Sequence, residues 1–202
     1  MSLSPCLTQA FFSRPTLLVA RELLGAHLVR LKGDRRLGGY ISETEAYIGE
    51  NDLACHARVG RTTRNAVMYG PPGHAYVYFT YGMHWMLNIV TEVEGFPAAV
   101  LIRAIEPLEG LDLIATQRPG RQRSEWTNGP AKLCQALCID GQLNGVDVCA
   151  REAVIFLEKG IQIPDSRVTI SSRVGLNTVP EPWRSVPWRF VADMRDAHKQ
   201  SG

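Results

Sequence analysis

The chain has no apolar run long enough to cross a bilayer. Its best candidate, "TLLVARELLG" at residues 16–25, is broken by Arg21 and Glu22, and falls well short of the roughly 20 apolar residues that a helical span requires. The N-terminus also lacks a basic segment followed by an uninterrupted apolar stretch, so no secretory signal and no membrane association are expected. Charge of one sign is equally scarce: 22 basic against 20 acidic residues leave a formal +2, too little to name a partner. There is no internal repeat and no low-complexity tract. The five cysteines (6, 55, 134, 138 and 149) are an odd number without repeated spacing, which argues against a disulfide framework. Cys134 and Cys138 are one helical turn apart but lack a second pair or nearby histidines, so no metal site is expected. Reduced thiols fit an intracellular protein, in the cytoplasm or at the nucleoid, or in the nucleus if the source is eukaryotic.

What is present is an ordinary globular composition, 45% apolar and 21% charged over 202 residues, enough for one well-buried core. Pro15 and Gly25 bracket a helix with Leu17, Ala20 and Leu24 on one face. "HLVRL", "KGDRR" and "GGYISETEAY" read as strand, turn and antiparallel return, and "NDLACHARVG" as a short helix capped by Asn51. An arginine-rich loop from Arg61 to Gly73 follows. Residues 74–90, "HAYVYFTYGMHWMLNIV", are aromatic and β-branched on both sides of Tyr81-Gly82, a hairpin signal. "AAVLIRAIEP" reads as a strand, "LEGLDLIATQ" and "PAKLCQALC" as helices, and "RVTISSRVG" and "WRFVADM" as late strands. Strands fill the middle and helices flank it, so the expected architecture is α+β, a single domain over residues 1–202.

Three groups of residues stand out against folding preference. In "ISETEAYIGE" a strand period of two puts Ile41, Glu43, Glu45 and Tyr47 on one face. Glutamate is a poor strand former, and two like charges on one face repel. A glutamate in partly apolar surroundings beside a like charge has a raised pKa and can act as a base toward water. The competing reading is an edge strand with a solvated acidic face. Second, a two-residue type I′ turn would force positive φ on Tyr81, and a type II turn would splay the strands. Asn-Gly would serve folding better, so an exposed wedge between bases is one reading of the tyrosine, and a ring folded back on the sheet the other. Third, Tyr47, His56, Tyr76 and Tyr78 lie near these elements, as stacking surfaces for a base or as ordinary core aromatics. Arg58, Arg61 and Arg64 fall within seven residues, and Arg118, Arg121 and Arg123 within six, either tracking a phosphate backbone or merely solvated.

"ETEAYIGENDLACHARVGRTTRNAVMYGPPGHAYVYFTYGMHWMLNIV", continued by "AAVLIRAIEPLEG" and "GPAKLCQAL", resembles the alkyladenine (3-methyladenine) DNA glycosylase family, as do "FFSRPTLLVARELLGAHLVR", "RVGLN" and "PWRFV". The resemblance implies a curved antiparallel sheet with a protruding β-hairpin. It also implies a monofunctional enzyme that flips damaged purines from duplex DNA and hydrolyses their bond to deoxyribose. 3-Methyladenine and 7-methylguanine are the implied substrates, with hypoxanthine and ethenoadenine as further candidates. By the resemblance Glu45 is the catalytic base, and Arg103 with the backbone carbonyl of Val174 holds the water. Tyr47, Ala54, His56, Tyr78 and Asn88 line the base pocket, Tyr81 intercalates, and Arg58, Arg61, Arg64, Met83 and Lys132 face the DNA backbone. Glu43 is read as structural. The chain departs from the family pattern at Thr63, where proline is usual, and at Ser42, where an apolar residue is usual. No cofactor is implied, and a monomer is expected. A nucleic-acid-binding module without chemistry, or a hydrolase of free nucleosides, is the alternative that the residues alone leave open.

Overall fold

A computed structural model describes residues 4–195. Two short helices, α1 (Gln9–Phe12) and α2 (Thr16–Glu22), precede the hairpin of β1 (His27–Lys32) and β2 (Arg35–Ile48). Two 3₁₀ turns, His56–Val59 and Ala66–Tyr69, punctuate the loop that follows. A second hairpin, β3 (Ala75–Thr80) and β4 (His84–Val90), leads into the long β5 (Ala98–Glu109). Then come α3 (Leu111–Gln117), α4 (Pro130–Ala136), β6 (Ile155–Glu158), β7 (Val168–Ser171) and β8 (Arg189–Ala192). All recorded pairings are antiparallel. The order is β3-β4-β5-β2-β1-β6, with β8 joining β2 and β7, so the architecture is α+β.

Strand β2 is the axis of the sheet. Its first half pairs with β1, its second half with β8, and almost its whole length with β5. Glu43 and Glu45 therefore lie on a central strand, bonded on both sides, and the reading of a solvated acidic edge is excluded.

The expected strand face is broken, however. Opposite β5 the register runs Ile41↔Ile105 and then Glu43↔Ala104, leaving Ser42 unpaired, and then Thr44↔Ile102, leaving Arg103 unpaired. Each strand thus bulges here, at adjacent positions, and a bulge shifts the alternation by one residue. Ile41 consequently joins Ala46 in the main core instead of sharing a face with Glu45. The strictly alternating reading of "ISETEAYIGE" was wrong at Ile41 for this reason.

The sheet has two apolar surfaces. One, with Ile41, Ala46, Val77, Leu87 and Ile102, packs with residues such as Val19 and Ala20 of α2 and Leu133 of α4 to form the main core. The other carries a smaller cluster with Tyr76, Ala99, Met68 and Cys55, edged by the partly buried Tyr47 and Tyr78. Aromatic residues at alternate positions of β3 face this second surface, since alternate strand residues point the same way.

Other expectations need adjustment. Ala20 and Leu24 are buried as expected, but Leu17 is exposed, and α2 buries Thr16 and Val19 as well. "NDLACHARVG" is not a helix capped by Asn51; Asp52 accepts the Ala54 amide at 3.0 Å, and only His56–Val59 turns, as 3₁₀. Strand β6 and helix α1, both four residues long, were not anticipated. Among the described residues no helix is long and apolar enough to cross a membrane.

Candidate active site

The second apolar surface is hollowed into a cavity of about 330 Å³, at the lower end of the range for small-molecule sites. Tyr47, Ala54, His56 and Tyr78 line it, with Asn88, Arg103, Val174 and the hairpin residue Tyr81. These residues come from β2, the 52–59 loop, β3, β4, β5 and the segment after β7. The antiparallel register brings them together: Tyr76 faces Asn88 across the hairpin, and both Asn88 and Glu45 sit opposite Leu101 of β5.

Glu45 lies one layer behind that lining. It is 0% exposed and is enclosed by three residues that do face the cavity. The Val174 amide donates to Oε1 at 2.7 Å; the Tyr47 hydroxyl and Arg103 Nη1 donate to Oε2 at 2.9 and 3.2 Å. A carboxylate offers about four acceptor positions, and these donors occupy three. Burial pushes the Glu45 pKa up, and Arg103, the Val174 amide and the Tyr47 hydroxyl oppose that rise by favouring the charged form. At Val174 it is the amide that touches the carboxylate.

The bulges explain how Arg103 reaches both carboxylates. Its Nε donates to Glu43 Oε1 at 2.6 Å while Nη1 meets Glu45. Arg189 of β8 also donates to Glu43 Oε1, at 2.6 Å. Glu43 thus holds Arg103 in place and balances its charge, an arrangement that fits the structural part expected of it.

The cavity walls are held with equal definition. His56 Nδ1 lies 2.9 Å from the Tyr76 hydroxyl, and its ring meets Tyr78 edge to face at 4.4 Å. Burial, reinforced by the nearby positive charges of Arg64 and Arg58, pushes the His56 pKa down to about 4, so the imidazole is neutral near pH 7. The buried Asn88 amide donates to the Tyr76 carbonyl at 3.1 Å, which fixes its orientation. Burial also raises the Tyr78 pKa to about 12, keeping its hydroxyl protonated.

Tyr81 is 80% exposed at the hairpin tip. Its φ is 52° and that of Gly82 is 67°, and the Met83 amide closes the turn on the Thr80 carbonyl at 3.2 Å. The signs are those of a type I′ turn, so a bulky residue does occupy the left-handed position that it resists.

Around the mouth, Arg58 and Arg61 are exposed, and Arg61 lies over the Tyr69 ring. Arg64 donates to the Phe79 carbonyl and lies over Tyr78. Met83 and Lys132 line a neighbouring depression rather than the main cavity. Asn65, which sequence reasoning missed, shapes the arginine loop by donating to the carbonyls of His56 and Gly60. Asp52 and Arg173 were missed too. They form a fully buried ion pair beneath Tyr47, and the sequence clue was that Arg173 opens "RVG" while Asp52 closely follows "ETEAYIGE".

A sequence profile described as methylpurine-DNA glycosylase matches residues 10–196. A protein of Methanocella arvoryzae, named "Putative 3-methyladenine DNA glycosylase", is 50% identical over 187 residues, 92% of each chain. Proteins of the same name from Carboxydothermus hydrogenoformans and Myxococcus xanthus are 47% and 46% identical. They cover 91% and 96% of this chain and 93% of their own lengths. The fold and these matches define an enzyme that hydrolyses N-glycosyl bonds in DNA. The chain belongs to the methylpurine-DNA glycosylase family, whose members bind damaged DNA and begin base excision repair.

Proposed function

We propose that this chain, acting as one glycosylase domain and as a monomer, extrudes alkylated purines from duplex DNA and hydrolyses their glycosidic bond with water activated by Glu45. The observation that carries the reading is a fully buried carboxylate, gripped by three residues that line an aromatic cavity whose rim bears an exposed tyrosine. A binding module would have no use for such a carboxylate, and a hydrolase of free nucleosides would need no projecting ring.

The target bond is shielded inside a duplex, so the nucleotide must rotate out, at a cost of roughly a few kcal/mol. Tyr81 takes the vacated space. The base enters between Tyr47 and His56 on one side and Tyr78 on the other. A purine cationic from alkylation, such as 3-methyladenine or 7-methylguanine, gains from electron-rich rings, and Asn88 crowds the exocyclic amine of a normal guanine.

Glu45, ionised and oriented by Arg103, the Val174 amide and Tyr47, accepts a proton from water as its oxygen bonds to the anomeric carbon. The carbon–nitrogen bond breaks with its electron pair going to the purine, which departs neutral because it began as a cation. Positive charge developing on the sugar is stabilised by the nearby carboxylate. An uncharged lesion, hypoxanthine or ethenoadenine, needs an added proton as it leaves. His56, neutral near pH 7, does not supply it. Water as nucleophile leaves an intact strand with an abasic site, and no step calls for a cofactor or metal. Such an enzyme works where the DNA is, in the cytoplasm or nucleoid, or in the nucleus of a eukaryote.

The direct test is incubation with methylated duplex DNA. Free 3-methyladenine or 7-methylguanine without strand cleavage is the expected result; a lesion-containing duplex that is bound but left whole would favour the binding module.

A further inference from the structure

Arg173 is 4% exposed and makes four hydrogen bonds through its two terminal nitrogens. Nη1 donates to Asp52 Oδ2 at 2.5 Å and to the Ala46 carbonyl at 2.9 Å; Nη2 donates to Asp52 Oδ1 at 2.9 Å and to the Trp183 carbonyl at 3.1 Å. Ala46 is the residue between Glu45 and Tyr47, and Val174 is the next residue after Arg173. The guanidinium carbon also lies 4.7 Å from the centre of the Tyr47 ring, with Trp188 at 5.0 Å. One side chain therefore touches the backbone between the carboxylate and its cavity wall, the wall itself, and the loop whose amide grips the carboxylate.

A bidentate pair of this kind fixes direction as well as distance, because the guanidinium is a flat fork matched to two carboxylate oxygens. Asp52 is itself held, accepting the amides of Ala54 and Ile48 at 3.0 and 3.3 Å. The anchor is thus rigid on the side away from the reaction.

We infer that Arg173, clamped by Asp52, is a positioning residue that sets the Val174 amide on Glu45 and the ring plane of Tyr47 together. This rests on the reading of Glu45 as the base. If the clamp loosens, the Val174 amide drifts from Oε1, and one of the groups that favours ionised Glu45 is weakened. Arg103 from β5 and Arg189 from β8 still face the carboxylates, as do Glu43 and Tyr47 of the same strand and Tyr78 of β3. The remaining field is unchanged, so the shift has one direction: the acidic limb of the rate profile moves to higher pH.

Arg173→Lys keeps the positive charge but cannot serve four acceptors in one plane. Asp52→Glu keeps the negative charge but lengthens the carboxylate arm by one methylene, which loosens the clamp from its other side, and stands in if the lysine variant does not fold. The measurement is single-turnover release of 7-methylguanine from methylated duplex, from about pH 4 to 9, with circular dichroism confirming parent-like folding. The expected result is an acidic limb raised by about one unit, hence roughly tenfold slower release at its foot, and a high-pH plateau within about threefold of the parent. Unmoved limbs in folded variants, or a parallel fall of limb and plateau, overturn the inference and leave Arg173 as framework only. A parent enzyme that releases no purine instead removes the reading of the site, and the role of Arg173 with it.

Discussion

The Tyr47 hydroxyl lies 2.9 Å from Glu45 Oε2, so the ring that walls the cavity also donates to the carboxylate behind it. Two duties thus meet in one side chain, and Tyr47→Phe separates them. The phenyl ring still stacks on an extruded base, while Glu45 loses one of the three donors that favour its charged form. Its pKa, already raised by burial, rises further. Since the proposed base acts in its ionised form, the acidic limb for 3-methyladenine release moves to higher pH. Lesion affinity, measured with an uncleavable nucleotide that keeps its etheno base, stays within about twofold. Loss of affinity without a moved limb would show that the hydroxyl serves binding alone.

Glu45→Gln removes the proposed base while keeping its volume and one acceptor oxygen. The three donors lose a charged partner, yet the cavity wall is formed by other residues. Base release is expected to fall by about 10²–10⁴-fold, the range for removing a positioned general base, with binding to lesion duplex retained. Turnover near that of the parent would take the assignment away from this carboxylate.

Much of this arrangement was legible from residues. The two hairpins, the helical starts at Thr16 and Pro130 and the convergence of Glu45 with tyrosines follow from alternation, proline placement and unfavourable strand chemistry. The paired bulges at Ser42 and Arg103 were not legible, because a bulge is a property of two strands in register and neither strand encodes it alone. For the same reason Ile41 was placed on the wrong face. Arg173 and Asp52 lie 121 positions apart, one in a stretch read as a late strand and the other in one read as a short helix; only burial reveals them as a pair. Strand β6, four residues long, is too short for its periodicity to distinguish strand from helix.

Tyr81 tests whether local strain is kept for function. Its φ of 52° is a conformation in which a non-glycine residue costs about 1–2 kcal/mol, and asparagine tolerates it better. Tyr81→Asn is therefore expected to leave stability unchanged or raise it by up to about 1 kcal/mol in urea unfolding. The same variant loses the proposed wedge, and the 2-aminopurine fluorescence rise beside a lesion should drop sharply. A variant that is as stable as the parent and extrudes as well would mean that the exposed ring has no part in extrusion.

Arg58, Arg61 and Arg64 are exposed around the cavity mouth and Arg121 is exposed in the loop after α3, and their proposed partners are phosphates. Each phosphate neutralised releases condensed counterions, so the logarithm of the binding constant falls linearly with that of salt, with a slope of about −0.9 per contact on duplex DNA. Replacing one of these arginines by glutamine should make the slope shallower by about 0.9 and weaken lesion and undamaged duplex alike, because phosphate contacts carry no base information. Arg64 is the informative exception. It also lies over the Tyr78 ring and contributes to the low His56 pKa, so Arg64→Gln should disturb lesion preference as well as the salt slope. Arg58→Gln, which also relieves His56 but lies over no cavity ring, is the control. Titrating parent and variants against matched duplexes with and without a lesion at several salt concentrations separates the two effects. An unchanged slope in every variant would place the DNA backbone on another surface.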